Sequence, residues 1–155
     1  MNLSLRPATP DDAEAIADLY LASRKTFVSF APLAHSDTDV RHWIATILIP
    51  SGTVTVAVSD EQIVGMMATS HENGYRWIDQ LYLAPAFAGR GIGSLLLTQA
   101  MQQLNPPIRL YSFQVNTGAR RFYERHGFLA IAFSDGKENE EQCPDVLYEW
   151  TLTDR

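Results

Sequence analysis

The chain has 155 residues, a formal net charge of −6 and a single cysteine, Cys143. That length fits one domain with its own core, and one cysteine excludes an internal disulfide and a cysteine-based zinc site. The acidic balance argues against a nucleic-acid partner, and we expect no bound metal. The N-terminal segment lacks the basic and apolar segments of a signal peptide, and no apolar run is long enough to cross a bilayer. We therefore expect a cytoplasmic protein without a membrane partner.

The first half of the chain predicts a strand, two helices and three further strands. Residues 3–6 alternate like a short strand, and Thr9-Pro10 before two aspartates is typical of a helix start. Apolar residues at helical spacing predict a helix to about Lys25 and a second one over 38–47. Short polar turns join the next three strands, which indicates antiparallel hairpins. These strands are predicted over 54–58, 63–70 and 75–83.

The second half predicts two helices and three strands. A leucine-rich stripe after Gly93 predicts a helix that ends before Pro106-Pro107. A strand over 108–115 follows, and then a helix from Asn116 or Thr117 to Gly127. Two final strands, 128–133 and 146–152, flank an acidic loop, 135–141. The predicted order is β-α-α-β-β-β-α-β-α-β-β, in one domain over residues 1–155.

Three glycines alternate in Gly89-Arg90-Gly91-Ile92-Gly93-Ser94, between a predicted strand and a predicted helix. The first amides of such a helix are unpaired and carry the positive end of its dipole, which suits a phosphate group. The dinucleotide pattern G-x-G-x-x-G fails because Ser94 or Leu96 stands where its last glycine is required, and a P-loop fails because no lysine follows. A tight surface turn and a different phosphate loop both remain open.

Two segments resemble the motifs of one enzyme family. Residues 81–96, LYLAPAFAGRGIGSLL, resemble the acetyl-CoA motif of the GNAT superfamily of N-acetyltransferases, whose core is [QR]-x-x-G-x-[GA], although Ala88 replaces the usual glutamine or arginine. Residues 116–128, NTGARRFYERHGF, are similar to its second motif, N-x-x-A-x-x-x-Y-x-x-x-G-F. The resemblance spans essentially the whole chain. It implies an α/β (α+β) fold with a mixed, mostly antiparallel twisted sheet and helices on both faces.

The resemblance also implies acetyl-CoA as cosubstrate and a set of site residues. Amides of the glycine loop would hold the pyrophosphate, the preceding strand would pair with the pantetheine arm, and Tyr123 would protonate the departing thiolate. Asn116 would bind the pantetheine, unless it only caps its helix, and Tyr123 could equally be a core tyrosine. The implied cofactor-binding residues are Leu81, Tyr82, Leu83, Gly89, Arg90, Gly91, Ile92, Gly93, Ser94 and Asn116.

The acceptor amine must lose a proton before it attacks a thioester, so we looked for a base. Asp79, directly or through water, is the favoured candidate, and strand parity places it with Trp77, Leu81 and Leu83. The alternatives are Glu72, His71, His35, or no single base. An acyl-cysteine on Cys143 is disfavoured because direct transfer needs no enzyme nucleophile.

The sequence leaves the acceptor open among small-molecule and peptide amines. A non-catalytic acyl-CoA-binding sensor and an enzyme with another acyl-CoA or a hydroxyl acceptor also remain alternatives. The acidic loop 135–141 is either a solvated surface or a device that attracts a cationic acceptor. A homodimer formed by pairing or exchange of the last strand is a further expectation.

Overall fold

Seven strands form a single sheet in the order β1-β2-β3-β4-β5-β7-β6. The computed structural model describes residues 2–152, so residue 1 and residues 153–155 of the predicted domain lie outside the described residues. All neighbouring strands are antiparallel except β4 and β5, which are parallel, and this confirms the predicted mixed sheet. The strands are β1 Leu3–Pro7, β2 Val54–Ser59, β3 Gln62–Glu72, β4 Tyr75–Leu83, β5 Ile108–Phe113, β6 Leu129–Ser134 and β7 Asp145–Trp150.

Four helices cover the sheet on both faces, as the sequence predicts. Residues of α1 and α2 pack into one core cluster with β2 and β3, while α3 packs with β4, β5 and β7 in a second. No helix within residues 2–152 is both long and apolar enough to cross a membrane. The helices are α1 Ala13–Phe27, α2 Asp37–Trp43, α3 Ile92–Gln103 and α4 Thr117–Arg125.

The start of α1 is tied to β1 through one carboxylate. Asp12 accepts hydrogen bonds from Arg6 Nη1 at 2.7 Å and from the Thr9 backbone N–H at 2.7 Å. The bond from Arg6 is the main reason that the pKa of Asp12 is lowered to about 2, against the opposing effect of burial. The Thr9-Pro10 start signal therefore becomes a tertiary contact between the first strand and the first helix.

Several predicted boundaries differ from the structure by a few residues, and two of them have a local cause. The regular part of α2 ends at Trp43 rather than near residue 47, because the chain continues as a π-helical turn, Ile44–Leu48. Strand β5 ends at Phe113 rather than at Val115. The backbone N–H of Gln114 still donates to the Pro144 carbonyl, in register with the pairing to β7, but proline has no N–H to donate in return.

Strand β4 contains a bulge at Asp79. In the pairing with β3, Ala68 faces Gln80 and Thr69 faces Ile78, so Asp79 is one residue more than β3 can match. The bulge reverses the alternation of side chains, and Ile78 therefore joins Leu81 in the same core cluster. The predicted parity, which grouped Asp79 with Trp77 and Leu81, is wrong for this reason. Bulges of this kind re-aim a side chain and are frequent beside active sites.

The parallel strands β4 and β5 separate soon after they meet. Their register contains only two pairs, Arg76 with Ile108 and Trp77 with Arg109. Beyond these pairs β4 continues beside β3, and β5 continues beside β7. The sheet is therefore split at its centre, and the split opens toward the glycine loop that follows β4.

Candidate active site

The split between β4 and β5 forms a cleft of about 520 Å³. Residues from α1, β4, β5, α4 and the glycine loop line it, so the two sequence motifs meet there. Ala88 lines it as well. Eight of the residues predicted for the site contribute to its walls: Asp79, Leu81, Tyr82, Leu83, Gly89, Gly93, Asn116 and Tyr123.

A second cavity, of about 570 Å³, adjoins the cleft. The two share Asp79 and Tyr82 of β4 and the stretch 111–113 of β5, together with Arg24 of α1. The loop between β6 and β7 closes the second cavity. Its charged lining residues are four acids and one base: Asp79, Glu138, Glu141, Asp145 and Arg24.

The glycine loop keeps open space around its backbone. Gly89 and Gly91 have φ angles of 78° and 83°, a conformation that L residues with side chains rarely adopt, and a Cβ atom at either one would meet no atom within 4 Å. Gly91 caps α3, so the next amides begin a helix and lack intrahelical acceptors. Gly93 has a different task, because a Cβ there would lie 3.3 Å from Phe122 Cζ. It permits the close contact between α3 and α4.

The remaining loop residues lie beside the cleft without lining it. Arg90 places its guanidinium 5.1 Å from the centre of the Phe87 ring, and the Ile92 side chain is buried in the core. Gly91 and Ser94 likewise do not line the cleft. The amide of Ala88 donates to the Pro85 carbonyl at 3.3 Å, so the turn already occupies it.

Tyr123 presents a neutral phenol to the cleft. Its ring packs between Phe122 and Phe128 with centroid distances of 5.2 and 6.1 Å, which fixes its position on α4. Burial, and to a smaller extent the nearby Tyr82, raises the pKa of Tyr123, so the hydroxyl stays protonated at neutral pH. Within residues 2–152 no protein group forms a hydrogen bond with this hydroxyl, which leaves it able to donate to a ligand.

Asn116 caps α4, in agreement with one of its two predicted roles. Its Oδ1 atom accepts a hydrogen bond from the backbone N–H of Ala119 at 3.2 Å. Asn116 also lines the cleft. The cap uses the oxygen of the side-chain amide, so the Nδ2 group is left to donate elsewhere.

Asp79 stands where the two cavities meet. Removal from bulk water is the main cause that raises the pKa of its carboxyl, the Glu72 charge adds to this, and a hydrogen bond with Ser70 opposes it. A raised carboxyl pKa makes the carboxylate a better proton acceptor. Among the four predicted bases, Asp79 alone lines either cavity, while His35 contacts Glu140 at 3.1 Å on the acidic loop.

Comparison with known proteins identifies the family. A model of the acetyltransferase (GNAT) family matches residues 15–128. The chain belongs to the GNAT family. Two relatives share part of its sequence. Spermine/spermidine N(1)-acetyltransferase of Bacillus subtilis (strain 168) is 22% identical over 134 residues, or 83% of this chain and 88% of the relative. Peptidyl-lysine N-acetyltransferase YiaC of Escherichia coli (strain K12) is 31% identical over 77 residues, or 50% and 51%.

Solved structures share the fold over almost the full length of this GNAT chain. Apo-form YjaB from Escherichia coli superposes with a TM-score of 0.78 at 21% identity, covering 99% of this chain and 100% of that one. PaiA N-acetyltransferase from Thermoplasma acidophilum, in complex with coenzyme A, gives 0.70 at 18% identity, covering 97% and 100%. The GNAT fold implied by the two motifs is therefore confirmed.

Sequence reasoning missed Arg24, which among residues 2–152 is the one cation that lines both cavities. Its side chain is only 6% exposed, because Arg24 lies on α1 four residues after Tyr20, on the stripe that faces the core. Arg24 Nη1 donates to Tyr82 Oη at 3.2 Å, and Nη2 donates to the Ala31 carbonyl at 3.0 Å and to Glu141 at 3.4 Å. A charged residue in an apolar helical stripe was the available signal.

Other predicted candidates lie outside the two cavities or serve packing. Cys143 is buried against Val28 and Ala31 and lines neither cavity, so the structure offers no support for an acyl-cysteine. Glu138 and Glu141 bring the acidic loop into the second cavity, and the loop is therefore more than a solvated surface.

We expect Arg24→Met to lower the free energy of unfolding by about 2 kcal/mol, because it leaves buried acceptors without a donor. The matched control is Arg41→Met. Arg41 also forms an ion pair, with Asp18, but its side chain is 42% exposed, and exposed pairs of this kind add little to stability. Urea denaturation followed by circular dichroism measures both changes. Equal losses in the two variants would contradict a structural role for Arg24 at the cavity wall.

Proposed function

We propose that this GNAT protein is an acetyl-CoA-dependent N-acetyltransferase that moves an acetyl group to a cationic primary amine by direct attack in a ternary complex. The observation that carries the proposal is the meeting of two cavities at the Asp79 bulge of β4. The cleft beside the glycine loop would take the donor, and the acidic cavity would take the acceptor. Both substrates then reach the same stretch of β4 from opposite sides.

The donor side fits coenzyme A in its backbone chemistry. Beyond Trp77, the edge of β4 that faces β5 has no strand partner, so main-chain groups of Leu81 to Leu83 are available to pair with the amides of a pantetheine arm. The unpaired amides at the start of α3 suit the pyrophosphate. The space beside Gly89 and Gly91 is open, and a Cβ atom at either residue would take up room that the pyrophosphate needs. Asn116 supplies its Nδ2 group from the opposite wall.

The chain's own groups would move two protons during transfer. Asp79, directly or through a water, accepts the proton that the ammonium must lose before its nitrogen attacks the thioester carbon. Main-chain N–H of β4 stabilises negative charge on the carbonyl oxygen. As the carbon–sulfur bond breaks, the neutral phenol of Tyr123 donates its proton to the sulfur, so that the thiol leaves uncharged. The second proton that the nitrogen loses on becoming an amide returns through water to the Tyr123 oxygen and restores the phenol.

The acceptor side favours a cation. Four carboxylates and one guanidinium line the second cavity, and Arg24 is already paired with Glu141. An ammonium group gains from this excess of negative charge, whereas an anionic acceptor would be repelled. The two relatives are named for spermine or spermidine and for peptidyl-lysine as acceptors, and both names are consistent with an acceptor of this class.

A non-catalytic acyl-CoA-binding sensor is the second candidate. The observation in its favour is Ala88, which lacks the usual side chain of the motif and whose amide is taken up by Pro85. The two candidates differ in one measurable reaction, the release of free thiol from acetyl-CoA in the presence of an amine. Catalysed release with any amine in a panel of alkylamines, polyamines and lysine peptides excludes the sensor.

Gly91→Ala should weaken acetyl-CoA binding by roughly 10-fold or more, because the new methyl group enters the space that the phosphates would occupy. Gly74→Ala is the matched control, since Gly74 also has a φ angle near 82° and nothing within 4 Å of an added Cβ, but lies in the β3–β4 turn. Both changes impose the same backbone strain. Isothermal titration calorimetry separates them, and equal affinities would contradict the loop assignment.

Tyr123→Phe should reduce kcat by roughly 10²-fold while leaving the affinity for acetyl-CoA nearly unchanged, because it removes only the proton donor. Tyr111→Phe removes a phenol from the same cleft and serves as the control. Steady-state kinetics at saturating acetyl-CoA measures the effect. A Tyr123→Phe enzyme with full turnover would exclude this residue as the general acid.

Asp79→Asn should reduce kcat by roughly 10²-fold with an alkylamine, which is protonated at neutral pH, and far less with a weakly basic amine, which is not. Protonation of Asp79 should abolish its action as a base, so wild-type activity is expected to fall on acidification. Because the pKa of Asp79 is raised, this fall should occur at a higher pH than an ordinary aspartate would give. The variant lacks that step. Asp11→Asn, which removes an exposed carboxylate outside both cavities, is the control, and equal losses in both amine classes would argue against a base at Asp79.

A further inference from the structure

Tyr148 is a buried tyrosine in the last strand of the chain. Strand β7 lies inside the sheet between β5 and β6, so it has no free edge for the predicted pairing with a second copy. Tyr148 is 0% exposed and belongs to the core cluster that α3 covers. A phenylalanine would fill almost the same volume and bring no buried hydroxyl that needs hydrogen-bond partners. The partners of this hydroxyl therefore indicate what the tyrosine does.

Two residues of α4 bind the Tyr148 hydroxyl. It donates a hydrogen bond to Glu124 Oε2 at 2.6 Å and accepts one from Arg120 Nε at 3.0 Å. Burial is the main cause that raises the pKa of Tyr148, so the hydroxyl keeps the proton that it donates. Arg120 and Glu124 lie one turn apart on the same side of the helix. A single hydroxyl of β7 is thus bonded to two successive turns of α4.

These hydrogen bonds fix α4 against sliding and rotation on the sheet. A slide along the helix axis would stretch one of the two bonds and a rotation would stretch both, and hydrogen bonds are sensitive to distance and angle. Arg120 extends the attachment, because its Nη1 donates to the Gln114 carbonyl at 3.4 Å. Its guanidinium also lies 5.6 Å from the centre of the Phe133 ring of β6. Helix α4 is therefore tied to the end of β5, to β6 and to β7.

Tyr123 lies on α4 between the two residues that bind Tyr148. The ring centres of Tyr123 and Tyr148 are 6.1 Å apart. The other ring contacts of Tyr123, with Phe122 and Phe128, are apolar. Apolar contacts have no strict direction, so they tolerate small shifts of the ring. The exact place of the Tyr123 phenol therefore depends on the directional hydrogen bonds of the residues that flank it on the helix.

We propose that Tyr148 is a positioning residue for the acid: its hydrogen bonds set the rotation of α4 and thereby the place of the Tyr123 phenol in the cleft. Tyr148 lines neither cavity, so it acts only through α4. A small displacement matters because proton transfer needs the donor within hydrogen-bond reach of the sulfur. The proposal rests on the proposed function, in which Tyr123 protonates the departing thiolate.

The N-terminal end of α4 is held by separate contacts. Just before the helix begins, Gln114 Nε2 donates to the carbonyls of Ser134 at 2.8 Å and of Asp145 at 3.1 Å. Asn116 caps the first turn. Loss of the Tyr148 hydroxyl should therefore disturb the acid more than the predicted pantetheine contact of Asn116. We expect a change in kcat rather than in the affinity for acetyl-CoA.

A double-mutant cycle in kcat tests the proposal. Tyr148→Phe should lower kcat roughly 5- to 10-fold and leave the KM for acetyl-CoA unchanged. In a Tyr123→Phe background the same change should lower kcat less than about 2-fold, because no acid remains to be positioned. Tyr75→Phe, which removes a phenol outside both cavities, is the control with wild-type kinetics, and circular dichroism shows that each variant is folded. A wild-type kcat in Tyr148→Phe, or equal losses in the two backgrounds, would overturn the positioning role.

Fluorine NMR tests the positioning without turnover, so it gives a result even where full activity of Tyr123→Phe contradicts the proposed function. The protein is labelled with meta-fluorotyrosine, and the Tyr123 resonance is identified by its loss in Tyr123→Phe. Glu124→Ala removes the acceptor of the Tyr148 proton and should shift or broaden this resonance. Glu124→Gln removes the same charge but keeps an acceptor oxygen, and it should retain the wild-type resonance. An unchanged resonance in Glu124→Ala, or equal shifts in both variants, would overturn the proposal.

Discussion

The separation of β4 from β5 is the constraint on which the rest of the structure depends. Main-chain polar groups need partners, yet these parallel strands share only the pairs at Arg76 and Trp77. The unpaired edge of β4 faces a cleft, and the glycine loop presents unpaired amides at the end of it. An extended ligand with its own amides and a pyrophosphate satisfies both sets of groups, which is why backbone rather than side chains dominates the donor side.

The bulge at Asp79 converts the split sheet into a site with two sides. It places one carboxylate of β4 in the walls of both cavities, while Arg24 ties α1, β4 and the acidic loop together around the same point. In the proposed reaction, Tyr123 of α4 is the proton donor and Asp79 is the proton acceptor. Desolvation raises the pKa of both groups, which keeps the Tyr123 phenol neutral and makes the Asp79 carboxylate a better proton acceptor.

The sequence predicts the order of elements, the mixed sheet and the residues of the two motifs, because glycine spacing, caps and apolar periodicity are local signals. It does not predict the bulge, since nothing near Asp79 in the sequence differs from an ordinary strand, and the parity argument failed there. Arg24 was missed because its partners lie on distant segments. Likewise, the position of β6 at an edge follows from strand order, which local patterns leave open.

A crystal structure of the protein with coenzyme A bound tests the central claim most directly. The account predicts the pantetheine arm between β4 and β5, with main-chain hydrogen bonds to Leu81–Leu83, and the pyrophosphate at the amides of residues 89–94. The thiol should lie within reach of Tyr123 and face the side of Asp79. Coenzyme A bound elsewhere on the molecule, or no binding at millimolar concentration, would contradict the account.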